Sequence, residues 1–154
     1  ILQEVASNAR RDNADVTMGW EGDMHIELRS LAVKRCLTNL VSNALRYGKR
    51  AELHAVRGRT AMEITIDDDG PGIPAEYQEI IFRRFEQVHA QHAPRVRSSG
   101  LGLTFCRLAT EAHGGRIWVT STEGEGSTFW IQLPIEPRPP QRMVARTGEH
   151  QVPR

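Results

Sequence analysis

Met62-Glu63-Ile64-Thr65-Ile66-Asp67-Asp68-Asp69-Gly70-Pro71-Gly72-Ile73 changes character halfway along, and that change decides the fold. Up to Asp67, the apolar Met62, Ile64 and Ile66 alternate with Glu63, Thr65 and Asp67, the period of two that marks a strand with one buried face. From Asp68 onward the stretch becomes a turn with two glycines in three residues. A carboxylate that closes such a strand and is followed by glycines stands where the backbone lets a flat ligand approach closely. It would accept a hydrogen bond from an exocyclic amine, whereas the carbonyl of guanine would meet it acceptor to acceptor. Adenine is therefore expected over guanine by about 1–3 kcal/mol, the cost of an unpaired buried polar group. Asp69, its neighbour, reads as an ordinary acidic turn residue.

Working outward, residues 51–56 form a second strand, joined to the first through Arg57-Gly58-Arg59-Thr60. Before them, from Ser30, the residues Leu31, Leu37, Leu40, Val41, Ala44 and Leu45 recur at three- and four-residue spacing. They predict a helix, with Gly48 where a C-capping glycine belongs. Residues 15–20 read as a short strand and residues 1–13 as the end of a preceding linker helix. Downstream come a short helical stretch over 80–85, and a polar segment over 86–99 that has little to bury and is expected to be a mobile loop. A helix over 101–113 follows, closed by Gly114-Gly115. Two alternating strands over 116–121 and 128–133 are linked as a hairpin candidate by residues 122–127. The tail over 135–154, with Pro137, Pro139 and Pro140 among scattered charges, is expected to be disordered. Helices and strands alternate irregularly, with adjacent hairpin-like strands. That favours an α+β fold, a layer of helices on one face of a mixed sheet, over a fully parallel doubly wound one.

The bulk composition is consistent with one domain over residues 14–134. A chain of 154 residues supports one core, and 39% hydrophobic with 25% charged residues is ordinary for a globular chain. Lys plus Arg (20) nearly cancels Asp plus Glu (19), so no overall field draws the protein to nucleic acid or to an anionic membrane. An anionic ligand must then be captured locally. Cys36 and Cys106 lie in apolar helical patterns without CxxC partners and read as reduced core thiols, which points to a reducing, cytoplasmic compartment. The N-terminal residues carry no signal-peptide pattern, and the absence of an initiator Met reads as a piece cut from a longer protein.

Two further motifs are weak alone. Asn39 and Asn43, four apart on the predicted helix, share a stripe with Arg46 and Tyr47 one turn on. Their amides suit a magnesium ion whose charge is balanced by phosphates, but an isolated pair reads first as a solvated polar stripe. Ser99-Gly100-Leu101-Gly102-Leu103 opens a helix after the polar segment. There, free backbone N–H groups and the helix dipole attract phosphate.

Taken in order, these motifs resemble those of the catalytic domain of sensor histidine kinases, within the GHKL superfamily. Asn39-Leu40-Val41-Ser42-Asn43-Ala44 resembles the N box, Asp68-Asp69-Gly70-Pro71-Gly72-Ile73 the first glycine box, and the pair Phe82 and Phe85 the F box. Gly100-Leu101-Gly102-Leu103 resembles the second glycine box, and Gly124-Glu125-Gly126-Ser127-Thr128-Phe129 the terminal one. The resemblance implies a two-layer α/β sandwich of the Bergerat type that binds ATP with Mg²⁺. By the same resemblance, Asn43 is the principal Mg²⁺ ligand, with Asn39 close to the phosphates or supporting it. Arg46 reaches the phosphates, Tyr47 packs beside adenine, Asp68 reads the base, Gly70 and Gly72 make room for it, and Thr128 lines its pocket. Ile73, Ser99, Gly100, Leu101, Gly102 and Leu103 complete the nucleotide contacts. Residues 86–99 would form the lid, with Arg95 or Arg97 near the γ-phosphate. Where the family usually carries a further leading glycine, this chain has Ser98-Ser99.

The family's phosphoacceptor histidine is not matched. Met24-His25-Ile26-Glu27-Leu28-Arg29 is similar only superficially, because it precedes the Asn-bearing helix by a few residues, and His25 reads as a strand or loop position. The implied arrangement is a domain with no catalytic residue of its own. It would pass the γ-phosphate of ATP to a histidine on an upstream dimerisation domain, which in turn serves a response regulator. A nucleotide-binding pseudokinase of the same fold is the alternative, and the irregular second glycine box is the one feature that favours it.

Overall fold

The computed structural model describes residues 1–11, 13–23, 28–83 and 101–136. The elements run α1 (Leu2–Arg11), β1 (Asp15–Glu21), α2 (Ser30–Tyr47), β2 (Arg50–Arg57), β3 (Ala61–Asp68), two 3₁₀ turns (Ala75–Tyr77 and Ile80–Phe82), α3 (Gly102–Ala112), β4 (Arg116–Thr122) and β5 (Gly126–Pro134). The five strands form one sheet in the order β1-β2-β3-β5-β4. β1 pairs parallel to β2 across the α2 crossover, and all other pairs are antiparallel, so the sheet is mixed as expected.

Alternation along the strands separates the two faces of this sheet. On the helix side, cross-strand rows run in register: Trp20, Ala55, Ile64, Ile131 and Ile117, then Met18, Leu53, Ile66, Phe129 and Val119. Ile64, Ile66, Leu53 and Ile131 are fully buried there. α2 supplies the opposing layer. Its Val33, Cys36, Leu37, Leu40, Val41 and Ala44 recur at helical spacing, and all are buried. α3 adds Cys106 and Ala109. α1 contributes Val5 and Ala6 to the same core, and is tied down by Arg10 Nε donating to the Val16 carbonyl at 2.7 Å and by the Lys34–Glu4 ion pair. Cys36 and Cys106 meet across α2 and α3 as free, buried thiols. Contact with Cys36, followed by burial, pushes the Cys106 thiol far up, so it stays protonated and acts as a small core residue.

The structure modifies two local expectations. Gly48 does cap α2, donating to the Ala44 carbonyl at 2.8 Å, but its backbone is extended (φ −110°, ψ −167°) rather than left-handed. The glycine is required for space. A Cβ there would lie 2.6 Å from Asp69 Oδ1 and 3.0 Å from the Gly70 nitrogen. The helical stretch expected over 80–85 is a single 3₁₀ turn ending at Phe82, with Arg83 already extended. Phe82 itself is buried edge-on to Phe129, the ring centroids 6.3 Å apart. Phe85, the segment 86–99 and the tail from 137 lie outside the described residues, as does His25.

The opposite face of the sheet carries Thr65, stacked Trp118 and Trp130 (5.8 Å, 4°) and Arg116 over Trp118. Removing side-chain volume on the two faces should therefore have unequal effects. Ile64→Ala should cost about 2–5 kcal/mol in urea unfolding, whereas the adjacent Thr65→Ala should cost less than about 1 kcal/mol. Equal losses would mean that the sheet is covered on both sides.

Candidate functional site

The third cross-strand row of the helix-facing surface begins apolar and turns polar: Val16, Ala51, Asp68, Ser127 and Ser121. Asp68 thus occupies the parity of Ile64 and Ile66, at the point where the buried face ends. Half-buried, it accepts a hydrogen bond from the Gly70 N–H at 2.9 Å. Burial pushes its carboxyl above the usual carboxylate range, and backbone N–H groups of Gly70 and Ser127 partly offset this. A donor brought to its free lone pairs would relieve the penalty on the ionised form.

Asp69 has a different task from Asp68. Its Oδ1 accepts from the backbone N–H groups of Lys49 at 2.7 Å and Arg50 at 2.9 Å, which hold its carboxyl below the usual range. It fastens the α2–β2 junction to the turn. The turn is more than a spacer, because this bond sets the end of α2 against the Asp68 carboxylate. A Cβ at Gly70 would meet Asp68 Oδ1 at 2.7 Å and the Tyr47 carbonyl at 3.1 Å, so the turn and the helix end are in contact.

Two glycines admit the β4–β5 hairpin to the same place. Gly72 has φ +75°, and a Cβ there would lie 2.2 Å from the Thr122 carbonyl oxygen. Gly126 has φ +116°, and a Cβ there would lie 2.1 Å from the Asp68 carbonyl oxygen. Ser121 sits between turn and hairpin. Its hydroxyl accepts from the Ile73 N–H at 2.8 Å and donates to the Gly126 carbonyl at 2.6 Å. Because its proton is committed to Gly126, the 3.0 Å contact with Ser127 Oγ is a bond that Ser127 donates, leaving the Ser127 oxygen as an acceptor beside Asp68.

Thr128 borders the same cleft as Asp68 and Ser127 but does not stand opposite Asp68. Register pairs it with Asp67, to whose Oδ1 its hydroxyl donates, and both lie on the outer face of the sheet. Ser127, 7% exposed and opposite Asp68, takes the position the sequence reading gave to Thr128. The signal was present in the sequence. Phe129, Ile131 and Leu133 alternate from Ser127, so the buried face of β5 includes 127 and excludes 128. Ser121 and Gln78 were also missed.

α2 runs from this end towards the start of α3. Asn39 and Asn43 are half-buried at the rim of its apolar stripe, with Arg46 exposed and Tyr47 49% exposed one turn on. A Cβ at Gly102 would lie 3.8 Å from the Asn39 side chain, which brings the opening turn of α3 to the first asparagine. That turn begins at Leu101, whose own side chain makes no capping bond, and the helix dipole makes such a terminus favourable to an anion. Asn39 and Tyr47 are two turns apart, about 12 Å along the axis. Leu103 and Ile73 pack against the core, whereas Leu101 is 42% exposed. Arg95, Arg97, Ser99 and Gly100 lie outside the described residues.

Among the described residues, no helix is long and apolar enough to cross a membrane. The family model for histidine kinase-, DNA gyrase B- and HSP90-like ATPases matches residues 28–137. The sensor histidine kinase GtrS of Pseudomonas aeruginosa is 39% identical over 135 residues, covering 87% of this chain and 27% of that protein. The sensor protein kinase WalK of Staphylococcus haemolyticus is 39% identical over 103 residues, covering 64% of this chain and 17% of that protein. The chain therefore spans about a quarter or less of the length of these relatives. Among solved structures, the catalytic domain of histidine kinase ThkA superposes with a TM-score of 0.72 at 30% identity, covering 88% of this chain and 91% of that one. The ATP-binding domain of PrrB from Mycobacterium tuberculosis gives 0.71 at 25% identity, covering 88% and 91%. With five motifs in order, a mixed sheet backed by helices and a polar row at its end, the chain belongs to the histidine kinase-, DNA gyrase B- and HSP90-like ATPase family, as a catalytic ATP-binding domain of the sensor histidine kinase kind.

Proposed function

We propose that the chain binds Mg-ATP along α2, adenine at Asp68 and phosphates at the start of α3, and delivers the γ-phosphate to a histidine on a separate dimerisation domain of a cytoplasmic two-component kinase. A response regulator would then take the phosphate onward. The observation that carries this reading is the third cross-strand row, in which the buried sheet face ends in a half-buried carboxylate flanked by a serine oxygen, with glycines clearing the space beside it.

The geometry supports a division of labour among these residues. Asp68 is the acceptor for the adenine amine, and the Ser127 oxygen is a second acceptor beside it. Tyr47 supplies an exposed ring at the edge of the same place. Asn39 and Asn43 lie towards the phosphate end. Neutral amides fit a magnesium ion whose charge is balanced by the nucleotide, and Asn43 would hold it with Asn39 in support. When bound, the ion neutralises phosphate charge. Arg46 adds an exposed cation at the rim, and the N-terminal end of α3 adds the positive end of its dipole. Phosphoryl transfer demands mainly positioning and charge neutralisation, which such a set can supply without a base of its own.

Three measurements test this reading. Asp68→Asn should weaken ATP and adenosine binding about tenfold or more, since the amide offers a donor where an acceptor is needed; unchanged affinity by calorimetry in a variant that still melts cooperatively would exclude Asp68 from base recognition. Asn43→Ala should abolish the magnesium-dependent part of ATP affinity and leave adenosine binding intact. An equal loss for both ligands would make Asn43 a packing residue. Labelled ATP incubated with the chain alone should leave it unlabelled. Label should appear on a dimeric helical hairpin bearing the substrate histidine when that is supplied, and should rise with concentration because tethering is absent. Acid-labile label on His25 would overturn the transfer in trans.

A further inference from the structure

Gln78 lies outside every glycine and asparagine motif, immediately after the 3₁₀ turn Ala75–Tyr77. Its side-chain nitrogen donates to the Ile73 carbonyl at 2.9 Å and to the Ser121 carbonyl at 3.0 Å. The amide has two protons, and each meets a carbonyl. The reversed orientation would set its oxygen against both, so the orientation is fixed by chemistry. Ile73 closes the base turn and Ser121 belongs to β4, so one side chain staples the turn to the hairpin. The Ile73 N–H on the Ser121 hydroxyl and the Gly124 N–H on the Pro71 carbonyl at 2.8 Å run between the same two segments. Gly72 and Gly126 are the close approaches that let them meet. The turn carrying Gly70 and Gly72 is therefore held by the hairpin through bonds within the chain itself.

We propose that Gln78 is a positioning residue for nucleotide binding: without touching the nucleotide, it holds the 70–73 turn in the one geometry that leaves the Asp68 carboxylate and the Ser127 oxygen presented to the base. This rests on the reading of Asp68 as the adenine acceptor. Because Gln78 acts at the base end, its loss affects adenosine and ATP by the same factor and spares the increment that magnesium adds.

The test uses the whole 154-residue chain with Gln78→Ala and with Gln78→Met, which keeps the length of the side chain but not its donors. Calorimetry at a temperature where each variant is fully folded should show both ligands weakened about five- to thirtyfold, the equivalent of one to two neutral hydrogen bonds. Amide exchange at Ile73 and Gly124 should accelerate in both variants. A merely structural side chain would lower the melting temperature and leave the adenosine affinity of the folded protein unchanged. Wild-type adenosine affinity in either variant overturns the proposal. Asp68→Asn measured in parallel separates the two levels. If it too binds adenosine normally, the base-site reading itself has failed; if it weakens binding while the Gln78 variants do not, only the positioning role falls.

Discussion

In the β3–β5 pair, Asp68 faces Ser127 and Ile66 faces Phe129, and a slip of one residue would exchange every side chain between the two faces of the sheet. The register is specified because one face is dry. Ile64, Ile66, Phe129 and Ile131 must all point at α2 and α3, and no shifted pairing satisfies them together. The polar row at the end of that face therefore inherits its placement from hydrophobic residues several positions away. The apolar rows thus fix where the carboxylate stands in the sheet, and the bonds between turn and hairpin fix the backbone beside it.

The two adjacent aspartates show how neighbouring identical groups acquire opposite roles. Asp69 is exposed and spends its lone pairs on the Lys49 and Arg50 amides, so it is content as an anion and serves as a rivet between α2, β2 and the turn. Asp68 is drawn inward, and its ionised form is opposed by burial. The first stabilises the frame; the second is a half-buried carboxylate whose ionised form is held only in part by the Gly70 and Ser127 amides. Replacing either with a neutral residue therefore removes a different thing, a rivet in one case and a buried, partly compensated charge in the other.

Much of this was legible in the sequence. The alternation from Met62 to Asp67 identified β3 and its buried face, the three- and four-residue spacing from Ser30 identified α2, and Asp68 with its glycines marked the turn. Thr128 was carried over by position from a family motif, whereas the alternation of β5 puts Ser127, and not Thr128, opposite Asp68. Gln78 and Ser121 were missed for another reason. Their partners lie 43 residues apart in the case of Gln78 and Ser121, and nothing in a local pattern announces a bond that exists only once the hairpin has folded against the turn. Gly48 was recognised as a cap but for the wrong property, since its backbone is ordinary and only its missing side chain matters.

The central strands β3 and β5 are neighbours in the sheet but distant in the chain, and the second glycine box, α3 and β4 all lie in the loop that their pairing closes. Closure entropy grows only logarithmically, so even doubling that loop would cost about 0.6 kcal/mol. Length changes within that loop can therefore arise at almost no expense to the sheet, provided that Phe82 and α3 keep their places against it. Sequence drift can then alter what lies between β3 and β5 while Asp68 and Ser127, pinned by register, stay opposite each other.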